Sequence, residues 1–90
     1  MTAPYSPAQV AAIGEELRRR VIAKEATDSG IVTTLVTLHS LGRITEKEVR
    51  ELLDRVYQSK TKIIAVLIDA QQYVDEDLIQ SVRKDIEAAK

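Results

Sequence analysis

The spacing of apolar residues predicts a helix at the start of the chain. One face of this helix carries apolar side chains at three- and four-residue intervals: Val10, Ile13, Leu17 and Val21. Ser6 and Gln9 match a Ser-x-x-Gln capping box, and Pro7 suits the first helical position. We therefore expect a helix that begins at Pro7 and fades near Ala26.

The second segment, Ile31–Leu41, carries signals for both a strand and a helix. Its β-branched residues favour a strand: Ile31, Val32, Thr33, Thr34, Val36 and Thr37. Helical spacing is kept by three positions: Ile31, Leu35 and Leu38. Asp28 or Ser29 offers an N-cap, and Gly42 stands where a helix-terminating glycine belongs. Because the residues at both ends agree with the helical spacing, we predict a helix.

The third segment is an amphipathic helix from Thr45 to about Gln58. Thr45 and Glu48 match a capping box, and the short link at residues 42–44 makes segments two and three a helical hairpin. One face is apolar: Val49, Leu52, Leu53 and Val56. Opposite charges lie four residues apart, which supports the helix further.

The fourth segment, residues 61–69, is a short strand or a buried helix. Its core, Ile63–Ile68, is continuously apolar, and periodicity cannot separate the two structures. Three isoleucines and one valine favour the strand. A lone strand leaves backbone groups unpaired, so it would pair with a second copy of the chain. The predicted self-interface is then Ile63, Ile64, Val66 and Ile68.

The last segment begins at Asp75 and is predicted to be helical to about Ala89. Acidic residues open it, where the helix dipole favours them, and an apolar stripe follows: Ile79, Val82 and Ile86. The predicted fold is therefore mainly α, a small helical domain of four amphipathic helices with one apolar segment. Residues 1–6 form an N-terminal tail, and residues 7–90 form a single domain.

The amino-acid composition argues against several classes of function. Thirteen basic and fourteen acidic residues give a formal charge of -1, which argues against nucleic acid or an anionic membrane as the main partner. The absence of cysteine excludes disulfides, zinc–thiolate sites and iron–sulfur clusters, and no glycine-rich phosphate loop or other cofactor motif occurs. No signal sequence or membrane-spanning run is present, so we expect a cytoplasmic protein without membrane insertion.

Candidate catalytic chemistry is sparse. His39 is the only histidine, and none of its near neighbours on a helix is a carboxylate. The acidic residues fit solvated faces or first helical turns. We therefore expect a surface or capping histidine and no enzyme activity, cofactor or metal site. A ligand-sized cleft around His39 lined by converging acids would contradict this expectation.

One basic cluster could contact a partner. Arg18, Arg19 and Arg20 are consecutive, so they spread around a helix and do not form one patch. Their ordinary interpretation is a solvated face that pairs with nearby glutamates. Their functional interpretation is contact with an acidic partner.

These observations predict a non-catalytic protein-interaction or assembly module that self-associates as a homodimer. The alternative is a DNA-binding regulator with a helix-turn-helix in residues 45–72. In that alternative the reading helix would contain Ile63–Ile68, which offers the major groove almost no hydrogen-bond donors.

The order of features from Leu38 onward resembles a known family. The features are Leu38-x-x-x-Gly42-Arg43, an amphipathic helix to Tyr57, the run Ile63–Ile68, and Val74-Asp75-Glu76-Asp77-Leu78 before a last helix. Residues 28–90 thereby resemble the C-terminal part of the delta subunit of F-type ATP synthases, called the oligomycin-sensitivity-conferring protein in mitochondria. The resemblance implies a helix ending in Gly-Arg, a second helix, a β-strand and an acidic-capped helix. It also implies a non-catalytic connector that holds other helices.

Overall fold

Helices follow one another along the computed structural model, which describes residues 3–88. They are α1 (Pro7–Ile22), α2 (Asp28–Ser40), α3 (Glu46–Tyr57), α4 (Lys60–Asp69) and α5 (Glu76–Ala88), with a 3-10 turn at Gln71–Tyr73. The described residues contain no strand. The mainly α fold predicted from the sequence is confirmed, while the predicted helix end near Ala89 lies outside the described residues.

The predicted cap starts α1, but the helix ends earlier than expected. The Ser6 hydroxyl accepts from the Gln9 backbone N–H at 3.2 Å, and the Gln9 side chain accepts from the Ser6 N–H at 2.8 Å. At the other end Lys24 adopts a left-handed conformation with φ 60°, so the helix ends at Ile22. The Lys24 N–H then bonds the Val21 carbonyl, and the Glu25 N–H bonds the Arg20 carbonyl, which satisfies the last turn.

Helix α2 begins after a capping side chain and ends before a glycine, as the sequence predicts, but the N-cap is a different residue. Thr27, not Asp28 or Ser29, is the N-cap, and its hydroxyl accepts from the Gly30 N–H at 3.0 Å. Gly42 has φ 76° and ends the helix as predicted, because glycine adopts this conformation without a steric penalty. Its neighbour Arg43 donates its backbone N–H to the Leu38 carbonyl at 3.0 Å.

The preference for a strand in the fourth segment is wrong, because the segment is the helix α4. The Ser59 hydroxyl caps it by accepting from the Lys62 N–H at 3.2 Å. Burial inside the apolar run follows helical spacing, with Ile63, Val66 and Leu67 in the core and Ala65 exposed. A helix satisfies its backbone groups internally, whereas a strand would need a partner that residues 3–88 do not contain.

The core is built around one face of α3. Its four apolar residues are each at most 3% exposed, and none of the described buried residues is polar or charged. Helix α1 packs on one side of α3, where α1 places Gly14 against Leu52 and Arg55. Helices α2 and α4 also pack against α3, and α5 packs against α4. The side chains buried most completely are Ile31, Val32, Leu35, Leu52, Leu53, Val56, Ile63 and Leu67.

A polar cluster ties three helix ends together. The Tyr57 hydroxyl donates to Asp28 Oδ1 at 2.9 Å, and the Lys62 ammonium donates to Asp28 Oδ2 at 3.3 Å. Asp28 thus joins the start of α2 to the end of α3 and the start of α4. Burial of the ring, and then the hydrogen bond to Asp28, raise the pKa of Tyr57 above its ordinary value of 10.0.

The close approach of α1 and α3 predicts that Gly14→Leu destabilises the protein. A Cβ at this position would lie 2.6 Å from Arg55 Cδ and 3.1 Å from Leu52 Cδ2. We expect a loss of about 1–3 kcal/mol in the free energy of unfolding, as for other overpacked sites. Urea denaturation followed by circular dichroism measures it. Ala12→Leu, on the exposed side of the same helix, is the matched control, and an equal loss there would contradict the assignment.

The Tyr57–Asp28 contact predicts a specific loss of stability in alkali. The phenol ionises near pH 10 in the unfolded chain but at higher pH in the folded protein. Its stabilising effect is therefore complete below about pH 10 and decreases as the pH rises above that value. Urea denaturation at increasing pH should show a steeper loss for the wild type than for Tyr57→Phe. Tyr73→Phe, outside this cluster, should keep the wild-type slope.

Candidate functional site

A cleft of about 260 Å³ lies where the end of α2, the start of α3 and the entry to α5 meet. Four apolar residues line it: Val36, Val49, Val74 and Leu78. Six polar or amphipathic residues complete the lining: His39, Ser40, Glu46, Tyr73, Asp75 and Asp77. We call this the His39 cleft.

Two short connections create the His39 cleft. The turn at residues 41–45 places the end of α2 beside the start of α3. Beyond the 3-10 turn, Val74 is extended and buried, whereas Tyr73 and Asp75 on either side of it are exposed. Anchoring of Val74 in the core therefore fixes an aromatic ring and a carboxylate at the edge of the cleft.

The His39 cleft is negatively charged. Its lining has three carboxylates, from Glu46, Asp75 and Asp77, and no lysine or arginine. Glu46 opens α3, and Asp77 lies in the first turn of α5, where helix dipoles stabilise negative charge. The N-terminal ends of two helices thus allow like charges to gather in one place, although the whole chain carries a formal charge of only -1.

His39 has a defined hydrogen bond. Its Nδ1 lies 3.0 Å from the backbone carbonyl oxygen of Ile44. Because a carbonyl can only accept, the neutral ring carries its proton on Nδ1, and Nε2 is left as an acceptor. The side chain is exposed and lines the cleft. His39 can therefore offer an acceptor nitrogen to a donor group on a ligand.

The His39 cleft has part of the arrangement that would contradict the expectation of no enzyme activity, because it lies beside His39 and three acidic residues line it. Among residues 3–88, however, no hydrogen bond joins any of these acids to His39. The expectation therefore stays a prediction. Two observations describe its chemistry. Residues 3–88 contain no group of three or more histidine, aspartate or glutamate residues placed to hold a metal ion. In the same part of the chain, His39 is oriented by a backbone carbonyl and not by a carboxylate. The arrangement presents an apolar surface, negative charge and one acceptor nitrogen to a ligand.

The three consecutive arginines are separated by the fold. Arg18 Nη1 donates to the Val56 carbonyl at 2.6 Å and so satisfies the end of α3. Arg19 and Arg20 are more than half exposed and share Glu16, at 2.6 and 3.0 Å. Hydrogen bonds from Arg19 and then Arg20 lower the pKa of Glu16. Of the three arginines predicted to bind a partner, Arg18 therefore has a role within the fold.

Two of the four residues predicted for the self-interface are inaccessible. Ile63 and Val66 are each 2% exposed in the core, and Ile64 is partly buried. Only Ile68, at 38%, presents a large part of its surface. Because α4 is a helix, pairing of strands between two copies through this segment has no structural basis.

The helix-turn-helix alternative places α4 in the position of the reading helix. Its two lysines are both ion-paired within the protein, Lys60 with Asp54 at 2.8 Å and Lys62 with Asp28 at 3.3 Å. The exposed side of α4 also includes Ala65, Ile68 and Asp69. This surface offers little free positive charge for phosphate contacts.

The residues of the His39 cleft were not grouped by sequence reasoning. The sequence predicts Asp75 and Asp77 in the first turn of the last helix; Asp77 lies there, whereas Asp75 directly precedes α5. Nothing in the sequence indicates that Glu46, Tyr73 and Val74 lie beside them. The one available signal was the aromatic residue directly before a valine and an acidic run.

Comparisons with protein families, with curated proteins and with solved structures found no match. The resemblance to ATP synthase delta subunits therefore stays a prediction. It differs at α4, where that resemblance implies a strand. None of the helices within residues 3–88 has the length and apolar character needed to cross a lipid bilayer.

The hydrogen bond to Ile44 predicts which tautomer His39 adopts. At a pH where the ring is neutral, we expect the proton on Nδ1, because the carbonyl needs a donor. Nitrogen chemical shifts of the imidazole, read by two-dimensional NMR, distinguish the two tautomers directly. A ring protonated mainly on Nε2 would contradict the geometry and remove the acceptor from the cleft.

Proposed function

We propose that this protein is a non-catalytic interaction module that holds a short basic segment of another protein molecule in the His39 cleft. One observation carries the proposal: the cleft combines four apolar residues with three carboxylates and has no basic side chain in its lining apart from His39. A segment with one apolar side chain beside lysine or arginine complements both features. Such a role is also of the connector type that the resemblance to ATP synthase delta subunits implies.

The apolar part of the cleft provides the anchor. Val49, Val74 and Leu78 are each at most 9% exposed, so the core holds this floor of the cleft in place, and the half-buried Val36 lies beside it. A ligand side chain that covers these residues loses contact with water. Tyr73 is 55% exposed at the edge, and tyrosine is enriched at protein interfaces because its ring adds contact area with a polar end. A cleft of this size accommodates a few side chains of the segment.

The carboxylates make the cleft select basic segments over acidic ones. Glu46, Asp75 and Asp77 are exposed, so each contributes modestly to affinity but together they attract basic and repel acidic segments. Binding of this kind weakens as salt is added. The acceptor Nε2 of His39 gives an amide or ammonium group of the segment a directed partner.

Binding of peptides with opposite charge tests the proposal. We expect the peptide acetyl-Lys-Lys-Leu-Leu-Lys-Lys-amide to shift the backbone NMR signals of Tyr73, Asp75 and Leu78, and the glutamate counterpart to leave them unchanged. Neutralising two acids with Asp75→Asn and Asp77→Asn should weaken binding about fivefold, as expected for two exposed ion pairs. A basic peptide that shifts only signals outside the cleft would contradict the proposal.

The matched control removes two acids elsewhere. Asp69→Asn and Glu87→Gln change the net charge by the same amount, but both residues are exposed and neither lines the His39 cleft. We expect this variant to bind the basic peptide with nearly wild-type affinity. Equal weakening in both double variants would mean that overall charge, and not the cleft, determines binding.

A titration with random-sequence duplex DNA tests the alternative function. The ion-paired lysines of α4 predict no binding of consequence at physiological salt. Micromolar affinity that falls steeply with added salt would favour the DNA-binding regulator.

A further inference from the structure

The end of α1 exposes an apolar side chain that nothing in the described residues covers. Ile22 is 65% exposed, more than any other large hydrophobic residue that is exposed among residues 3–88. It occupies the last position of α1, where Lys24 turns the chain away. On the helix surface, residues three and four positions earlier are its neighbours, and these are Arg19 and Arg18.

The surroundings of Ile22 are basic. Residues 15–25 contain four basic and three acidic side chains, a net charge of +1. Arg19 and Arg20 share the single carboxylate of Glu16, so their two positive charges are only half balanced by this contact. An apolar side chain beside Arg19, whose charge is only partly balanced, is the ligand chemistry that the His39 cleft complements.

The end of α1 and the His39 cleft lie at opposite ends of α3. Arg18 bonds the Val56 carbonyl at the C-terminal end of α3, whereas Glu46 and Val49 line the cleft at the N-terminal end. Ten residues separate Glu46 from Val56, which is about 15 Å along a helix. Ile22 therefore cannot reach the cleft of its own molecule.

We infer that a second copy of this chain is the partner, and that its Ile22 enters the His39 cleft with Arg19, its neighbour on the helix surface, facing the carboxylates. The inference rests on the proposed function of the cleft, because it names the segment that the cleft holds. It replaces the predicted self-interface of Ile63, Ile64, Val66 and Ile68, in which Ile63 and Val66 are buried in the core.

The contact joins two different surfaces at opposite ends of α3, and we place the two copies head-to-tail. A symmetric dimer would make this contact twice, once in each direction, whereas a head-to-tail pair makes it once and leaves one free cleft and one free α1 end. Further copies can add at both ends. Association therefore continues beyond the dimer as concentration rises, unless the rotation between copies closes a ring.

Mixing two defective variants tests this arrangement. Ile22→Gln removes the inserted side chain but keeps the cleft, and Asp75→Lys with Asp77→Lys reverses two charges of the cleft but keeps Ile22. Sedimentation velocity from micromolar to millimolar concentration should show association of the wild type and about tenfold weaker association of each variant alone. An equimolar mixture of the two variants should recover one contact and form a heterodimer that grows no further.

Two controls make the outcome specific. Ile68→Gln removes another exposed isoleucine and should associate as the wild type does. Asp75→Asn with Asp77→Asn supplies a milder cleft variant if the lysines disturb the start of α5, and circular dichroism verifies that each variant is folded. A mixture that stays monomeric while the wild type associates would overturn the inference.

The peptide-binding and sedimentation experiments together distinguish failure of the inferred partner from failure of the proposed function. If the basic peptide binds the His39 cleft but the wild type stays monomeric at millimolar concentration, the second copy is not the partner, and the proposed function stands. If the wild type associates and Ile22→Gln has no effect, another surface mediates the contact, and the inference is overturned. If neither peptide nor copy binds, both proposals fail.

Discussion

Burial of the apolar face of α3 is the interaction on which the rest of the structure depends. Its buried residues, spaced three and four apart, lie at the centre of the core, and α1, α2 and α4 each pack against this helix. Gly14 lets α1 approach closely, because a side chain there would collide with Leu52 and Arg55. The two ends of α3 then differ in what they contact, since the C-terminal end receives Arg18 and the N-terminal end forms one wall of the His39 cleft.

The fold distributes charge more unevenly than the composition suggests. A formal charge of -1 describes a nearly neutral chain, yet the His39 cleft collects three carboxylates and the end of α1 carries an excess of positive charge. Helix dipoles allow the acids to gather at the starts of α3 and α5. The molecule is therefore polarised along α3, and this polarity, together with one exposed isoleucine at the basic end, underlies both proposals.

One hydrogen bond gives His39 both a local structural role and a place in the lining of the cleft. The sequence indicates a surface or capping histidine, and the bond to the Ile44 carbonyl agrees with a local structural role. The same bond leaves Nε2 available at the edge of an acidic cleft, a position that could not be inferred without knowing where Tyr73 and Asp75 lie. A local structural role and a place in a binding surface are therefore compatible.

The sequence by itself determined the helices whose ends carry their own signals. Ser6 with Gln9 and Thr45 with Glu48 start helices as predicted, and Gly42 ends one, because these contacts lie within a few residues. Tertiary structure alone decided the state of residues 61–69. Their apolar side chains suit either a strand or a helix, and only the surrounding helices determine that Ile63, Val66 and Leu67 are buried. The tertiary structure also determined the cleft. Its residues come from distant parts of the chain and meet only when α2, α3 and α5 come together in the fold.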